Sequence, residues 1–239
     1  LKFNPYAFVV NLLEAIAVLH AVSYALLDSL NVLLVGVLFA VAVIHARTGK
    51  YARVASLLVF GDWFGVFLLS LATLLFFDWI GEPVRHFLES PIMGYTLVAV
   101  GLLSAVLSFR GGDPAPLINT LVAPLKAPNA TTFTAGMVLG IIQSATSFPF
   151  FAGLGYLSVT DIPMGAKYLG VVLYASLALS LPFVFAMLIG FIQRHPESPV
   201  ALLIEKMGRH KERLTAGSGY IVAAVLVFIG VLKLIDTMG

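Results

Sequence analysis

Apolar runs of membrane-crossing length dominate this chain and leave it few ways to fold. They occupy residues 6–45, 55–77, 92–109, 133–159, 168–192 and 217–235. A helix rises about 1.5 Å per residue, so roughly 20 residues cross the ~30 Å hydrocarbon core of a bilayer. Backbone groups in lipid must pair within a helix or within a closed barrel. Barrel strands alternate apolar and polar residues over about ten positions; these runs are continuous, which selects helices. Of the 239 residues, 60% are hydrophobic and 11% are charged, where a soluble domain carries about 25% charged residues. So few charges cannot cover a water-facing surface. The expectation is an all-α integral membrane protein with about six transmembrane helices.

Two of the runs are interrupted. The first carries Asp28-Ser29-Leu30-Asn31, and the fourth carries Gln143-Ser144-Ala145-Thr146-Ser147-Phe148-Pro149. Reading the first run as one broken helix, rather than two helices, gives two sets of three, each opening with an interrupted helix. Broken helices at matching places in two halves mark inverted-repeat transporters. The expected organisation is an N-terminal extension (1–17), a first three-helix repeat (18–110), a cytoplasmic linker (111–131) and a second three-helix repeat (132–239). The second repeat contains an amphipathic cytoplasmic connector at 198–214. Residues 82–89 form a further short interfacial helix, and the sequon-like Asn129-Ala130-Thr131 falls on the cytoplasmic side, where it is a chance match.

Orientation follows from loop charge, because cytoplasmic loops collect Lys and Arg. The loops after spans one, three and five hold Arg47, Lys50, Arg53, Arg110, Lys126, Arg194, Lys206, Arg209, Lys211 and Arg213. The other side holds Lys2, Arg85, Lys167 and Lys233. Both termini are therefore expected on the outer side of the cell (inner) membrane, with Lys167 reaching along its helix to that interface.

Ionisable groups inside a membrane are costly and are functional candidates by default. Asp28 lies at the first break, as a proton or cation site or as the N-cap of a segment starting at Ser29. Asp62 lies inside the second run with no basic residue in that run to neutralise it. It is protonated, hydrogen-bonded to another helix or placed in a wet cavity; burial without a partner suits proton coupling, and the alternative is an interfacial position if the helix starts later. Glu14 and His20 face water if the N-terminal part lies along the surface. At the second break, Ser147 is placed to cap a new half-helix with Pro149 in its first turn. The positive ends of such half-helices attract anions. Ser29, Asn31, Gln143, Ser144, Thr146, Ser147 and Tyr174 are the expected substrate-binding set, with Ser176 and Ser180 on the same run as Tyr174. The alternative is that these hydroxyls bond back to their own helices. Pro182 is expected to kink the fifth helix, and Gly136, Gly140, Gly153 and Gly155 to permit close helix packing.

Other chemistries find little support. The formal net charge of +2 does not argue for nucleic acid, and the chain has no cysteine for disulfides or thiolate sites. It has no His–carboxylate pairing at metal-ligand spacing, no glycine-rich phosphate loop and no Gly-x-Ser-x-Gly elbow. No enzyme activity, metal or cofactor is expected.

The string Leu26-Leu27-Asp28-Ser29-Leu30-Asn31 followed by an apolar run resembles the opening of the lysine-exporter (LysE) superfamily. It is most similar to the actinobacterial sulfolipid- or peptidoglycolipid-addressing (Sap/GAP) branch. Residues 140–149 resemble that branch's fourth helix, and Tyr174 with Leu181-Pro182-Phe183 its fifth. Two positions depart from it: the usual Pro after the first string is Val32 here, and the Asn usually following the Tyr is Ala175. The resemblance implies a transporter that moves an amphipathic, anionic cell-envelope glycolipid or its precursor outward. Its rivals are a small-solute exporter for amino acids or cations and a non-transporting scaffold for envelope-assembly proteins. A lipid substrate requires a side opening toward the bilayer; a small solute does not.

Overall fold

The computed structural model describes residues 19–45, 48–110, 125, 127–195 and 211–238. Among them, all regular structure is helical. The helices are α1 (Leu19–Asp28), α2 (Val32–Ile44), α3 (Tyr51–Ile80), α4 (Glu82–Glu89) and α5 (Pro91–Arg110). After the linker come α6 (Ala130–Ala145), α7 (Phe148–Val159), α8 (Met164–Ala178), α9 (Ser180–Arg194) and α10 (Lys211–Met238). The expected N-terminal extension lies outside the described residues. So does the amphipathic connector, except at its end, where Lys211 already opens α10.

Helix α3 has 30 residues and no internal proline, so it extends about 45 Å. Among the described residues it alone is long and apolar enough to cross a membrane unaided. It stops at Gly81, whose φ of 48° suits glycine and whose N–H closes the helix on the Phe77 carbonyl at 2.8 Å. The chain reverses there into α4, the short helix expected at 82–89. Four pairs reach crossing length and apolarity only together, each across a bend: α1–α2 at 42°, α4–α5 at 68°, α6–α7 at 78° and α8–α9 at 45°.

Each break has a local cause. Asn31 caps α2 by accepting the Leu34 N–H at 2.9 Å. Ser147 caps α7 by accepting the Phe150 N–H at 3.3 Å, with Pro149 in the first turn. Pro149 and Pro182 each lack the N–H that would bond across the break to residue i−4, so neither helix continues through. The bend before Pro182 falls at Leu179, one turn upstream of the proline, as such kinks do. Asn129, read from sequence as part of a chance sequon, is the N-cap of α6 and accepts the Thr132 N–H at 3.2 Å.

Glycine sets the packing. On α3, Gly61 and Gly65 face Phe133 and Met137 of α6; on α6, Gly136 and Gly140 face Leu58 and Asp62 of α3. A Cβ at any of the four would overlap main-chain atoms of the opposite helix, so the two backbones touch. The expected packing role of Gly136 and Gly140 holds, and α3 supplies the matching pair. Gly94 on α5 and Gly230 on α10 approach each other in the same way. Two apolar cores result. One joins α2, α3, α7 and α8 through Leu34, Leu38, Leu58, Leu74, Phe150 and Leu154. The other joins α1, α4, α5 and α10 through Tyr24, Leu88, Met93, Leu97 and Leu226. The outward faces are apolar as well: Phe60, Leu102, Leu173, Met187, Phe228 and Ile235 are all more than half exposed.

Gly65→Ala is expected to destabilise the purified protein by about 1–3 kcal/mol, the range for overpacking a tight interface. Gly165→Ala, where an added Cβ meets nothing within 4 Å, is expected to leave thermal unfolding unchanged or slightly raised. Equal melting temperatures for the two variants would contradict backbone contact between α3 and α6.

Candidate functional site at the helix breaks

The two breaks meet. Asp28 is the last residue of α1, and its carboxylate accepts a hydrogen bond from Ser147 Oγ, the cap of α7. Asp28 is therefore not the N-cap of the following segment, the alternative its sequence position offered. Asn31 fills that role, because α2 begins only at Val32. Ser29 Oγ instead donates to the Leu26 carbonyl at 2.6 Å, satisfying an acceptor freed by the end of α1.

One turn before Ser147, Gln143 Nε2 donates to Asp62 Oδ1 at 3.1 Å and to the Leu139 carbonyl at 3.1 Å. Asp62 is fully buried. Its second oxygen has no hydrogen-bond partner among the described residues. The contact between Gly140 and the Asp62 backbone holds this carboxyl against α6. Asp62 and Asp28 are thus bonded to Gln143 and Ser147, which lie four positions apart in the chain across the second break. Tyr174 is buried on α8, and its hydroxyl donates to the Pro149 carbonyl at 3.3 Å. Among the described residues the ion pairs are Arg85–Glu89, His86–Glu82 and Lys167–Asp78, and none involves Asp28 or Asp62. Two carboxyl groups thus share one interior region with neutral donors and no counter-ion. Such an arrangement can take up and release a proton or a monovalent cation. Among the described residues no group of three His, Asp or Glu could hold a metal ion.

The remaining expected residues divide. Ser144 is buried beside Gln143. Thr146 is exposed, and its hydroxyl bonds back to the Ile142 and Gln143 carbonyls at 3.0 Å each, the self-bonding alternative. The positive end of α7, offered by the sequence to an anionic ligand, is met through Ser147 by the acidic Asp28. Lys167 does not simply reach along its helix to an interface. It is largely buried, donating to Asp78 Oδ1 at 2.9 Å and to the Ser158 carbonyl at 2.5 Å near the end of α7. His20 does not simply face water, for its ring stacks on Tyr156 at 4.8 Å. Glu14 lies outside the described residues.

A second feature opens on the other side of α3. A cavity of about 920 Å³ lies between α3 and α9, beyond the 45° bend. Val59, Phe60, Phe183 and Met187 form its walls, and Arg194 and His195 stand at one end. At the other end Trp63 Nε1 donates to Ser176 Oγ at 3.2 Å, and Ser180 also lines it. Phe60, Phe183 and Met187 remain 52–62% exposed, so this groove opens on the flank of the molecule. Sequence reasoning named Ser176 and Ser180 on this run, but counted Arg194 only among the loop charges and passed over His195. The available signal was the stripe Phe183, Met187, Gly190, Arg194, spaced four, three and four along one helix face.

The chain matches no protein-family model, no curated protein and no solved structure.

Ser147→Ala removes both the cap of α7 and the Asp28 partner, whereas Asn31→Ala removes a cap alone. The first is expected to cost about 2–3 kcal/mol, a cap plus a hydrogen bond to a charged group, and the second about 1 kcal/mol. A double-mutant cycle of Ser147→Ala with Asp28→Asn, followed by thermal unfolding, should show a coupling above ~0.5 kcal/mol. Strict additivity would mean that the Asp28–Ser147 contact contributes nothing.

Proposed function

We propose that this protein is a multi-pass inner-membrane transporter of the lysine-exporter type, built from two inverted three-helix repeats. In this reading it moves an amphipathic, anionic cell-envelope glycolipid or its precursor outward. The observation that carries it is the junction of the two broken helices. There Asp28 and Ser147 join the breaks beside Asp62, a buried carboxyl with no counter-ion among the described residues. Desolvated carboxyls are expensive to keep in a purely structural role, and in membrane helices they mark proton relays and ion paths. Asp28 and Asp62 are the proton-sensitive coupling groups in this scheme. Gln143 and Ser147 link them to the breaks, where small changes of bend redirect two half-helices at once.

Three further features support the reading. The outward faces are apolar, as lipid contact requires and as water contact does not favour. Glycine-mediated backbone contact is the usual way for helices to associate where no hydrophobic driving force separates them from lipid. The flank groove between α3 and α9 opens sideways, as a lipid ligand requires and a small solute does not, although it lies across α3 from the carboxyl pair.

The test uses vesicles reconstituted with the protein and a sugar-headgroup lipid loaded in the inner leaflet. Outward movement is read as exposure of the sugar to impermeant periodate. Wild type is expected to speed exposure over protein-free vesicles, and a pH gradient to change that rate. Asp28→Asn and Gln143→Ala are each expected to slow it about tenfold or more, the scale of a lost hydrogen bond to a charged group. Full transport by both variants at normal expression would place the working site elsewhere.

A further inference from the structure

We propose that the α3–α9 groove is a binding site for one anionic lipid of the cytoplasmic leaflet, with its hydrocarbon chain along the apolar walls and its headgroup at Arg194 and His195. The inference rests on the membrane placement in the functional reading above.

Dimensions favour this occupant. The groove follows α3 from Tyr51 to Trp63, twelve residues or about 18 Å of helix. One leaflet contributes half of a hydrocarbon core of ~30 Å, about 15 Å. The groove is therefore as deep as one leaflet, and not as deep as the bilayer. Its volume of about 920 Å³ lies at the upper end of the roughly 300–1,000 Å³ typical of small-molecule sites. A compact polar solute would leave most of those apolar walls unused.

Polarity runs in the same direction. Among the described residues none lining the groove is acidic. Its basic end, Arg194 and His195, lies at the last turn of α9. That end adjoins the start of α3, where Lys50 and Arg53 follow in sequence. These residues belong to the loops whose Lys and Arg excess assigns them to the cytoplasmic face, where anionic headgroups attract basic side chains. The far end, at Trp63 and Ser176, then falls near the bilayer middle. The frame of the groove is also fixed. Tyr51 donates to the Ala186 carbonyl at 3.2 Å, and Gln193 Nε2 donates to the Ala42 carbonyl at 2.8 Å, so α9 is tied to α3 and α2 while the space between stays open. Since the N-terminus of α7 already faces Asp28, the basic end of this groove is the better place for a negative headgroup.

Trp63 reports on the site. The chain has two tryptophans, and the other, Trp79, is 81% exposed and outside the groove. A Trp79→Phe protein in phosphatidylcholine nanodiscs therefore emits from Trp63 alone. Phosphatidylglycerol with brominated chains is added, and in parallel brominated phosphatidylcholine at the same mole fraction. The anionic lipid is expected to quench Trp63 more strongly than the zwitterionic one. Arg194→Gln combined with His195→Gln should remove that preference, and Gly190→Leu should remove it by filling the groove. An added Cβ at Gly190 meets its nearest neighbour, the Tyr51 ring, at an ordinary 3.6 Å, so the helix tolerates the change. Equal quenching by both lipids in the parent protein overturns the proposal, as does a preference that survives both groove variants. Asp28→Asn separates the two readings. A preference kept while transport is lost supports the groove as a binding site upstream of the carboxyls. Transport without any preference refutes the groove and leaves the transporter reading standing.

Discussion

The contact of two backbones, α3 against α6, is the constraint on which the rest of this structure depends. Four glycines make it, two from each helix, and each lies where a Cβ would strike the facing main chain. Without side chains between them, the helices bring Asp62 and Gln143 within hydrogen-bond distance. The same approach sets where α6 ends, and so where Ser147 meets Asp28. A carboxyl cluster inside an apolar bundle is costly, and here the α3–α6 backbone contact and the Gln143 hydrogen bond hold Asp62 in it.

Broken helices pose a second problem, since every break frees backbone donors and acceptors away from water. The chain answers with side chains of its own. Asn31 and Ser147 satisfy the new N-termini, and Ser29 satisfies a carbonyl at the end of α1. Tyr174 reaches the Pro149 carbonyl from a different helix. The polar residues at the breaks are therefore partly structural. Those that go further are Gln143 and Ser147, whose side chains leave their own segment to reach carboxyls on α3 and α1.

Much of this was legible in the sequence wherever the cause is local. The polar strings and Pro149 located both breaks, Pro182 located the bend between α8 and α9, and the bounds of α4 emerged from its charged residues and prolines. The sharper bend, 78° at the second break against 42° at the first, falls where proline is present; the first has Val32 at the corresponding place. Legibility ended where partners are remote. Asp28 and Ser147 are 119 positions apart, and Lys167 and Asp78 are 89. No local pattern couples such residues, so Asp28 read as either a proton site or a cap, without its partner, and Lys167 as a side chain bound for an interface. The groove was illegible for a related reason: it is a gap between two helices, and only one wall carries its stripe.

The Lys167–Asp78 pair also has a mechanical meaning. It binds the beginning of α8 to the far end of α3, while α9, past the bend, is tied back to the near end of α3 by the Tyr51–Ala186 hydrogen bond alongside the groove. The helices are thus fastened near both tips, with the groove and the bend at Leu179 lying between the two fastenings. Swinging α8 and α9 as a rigid arm to close the groove would pull directly on a largely buried ion pair. Bending further at Leu179 would spare it, so the hinge is the softer of the two paths.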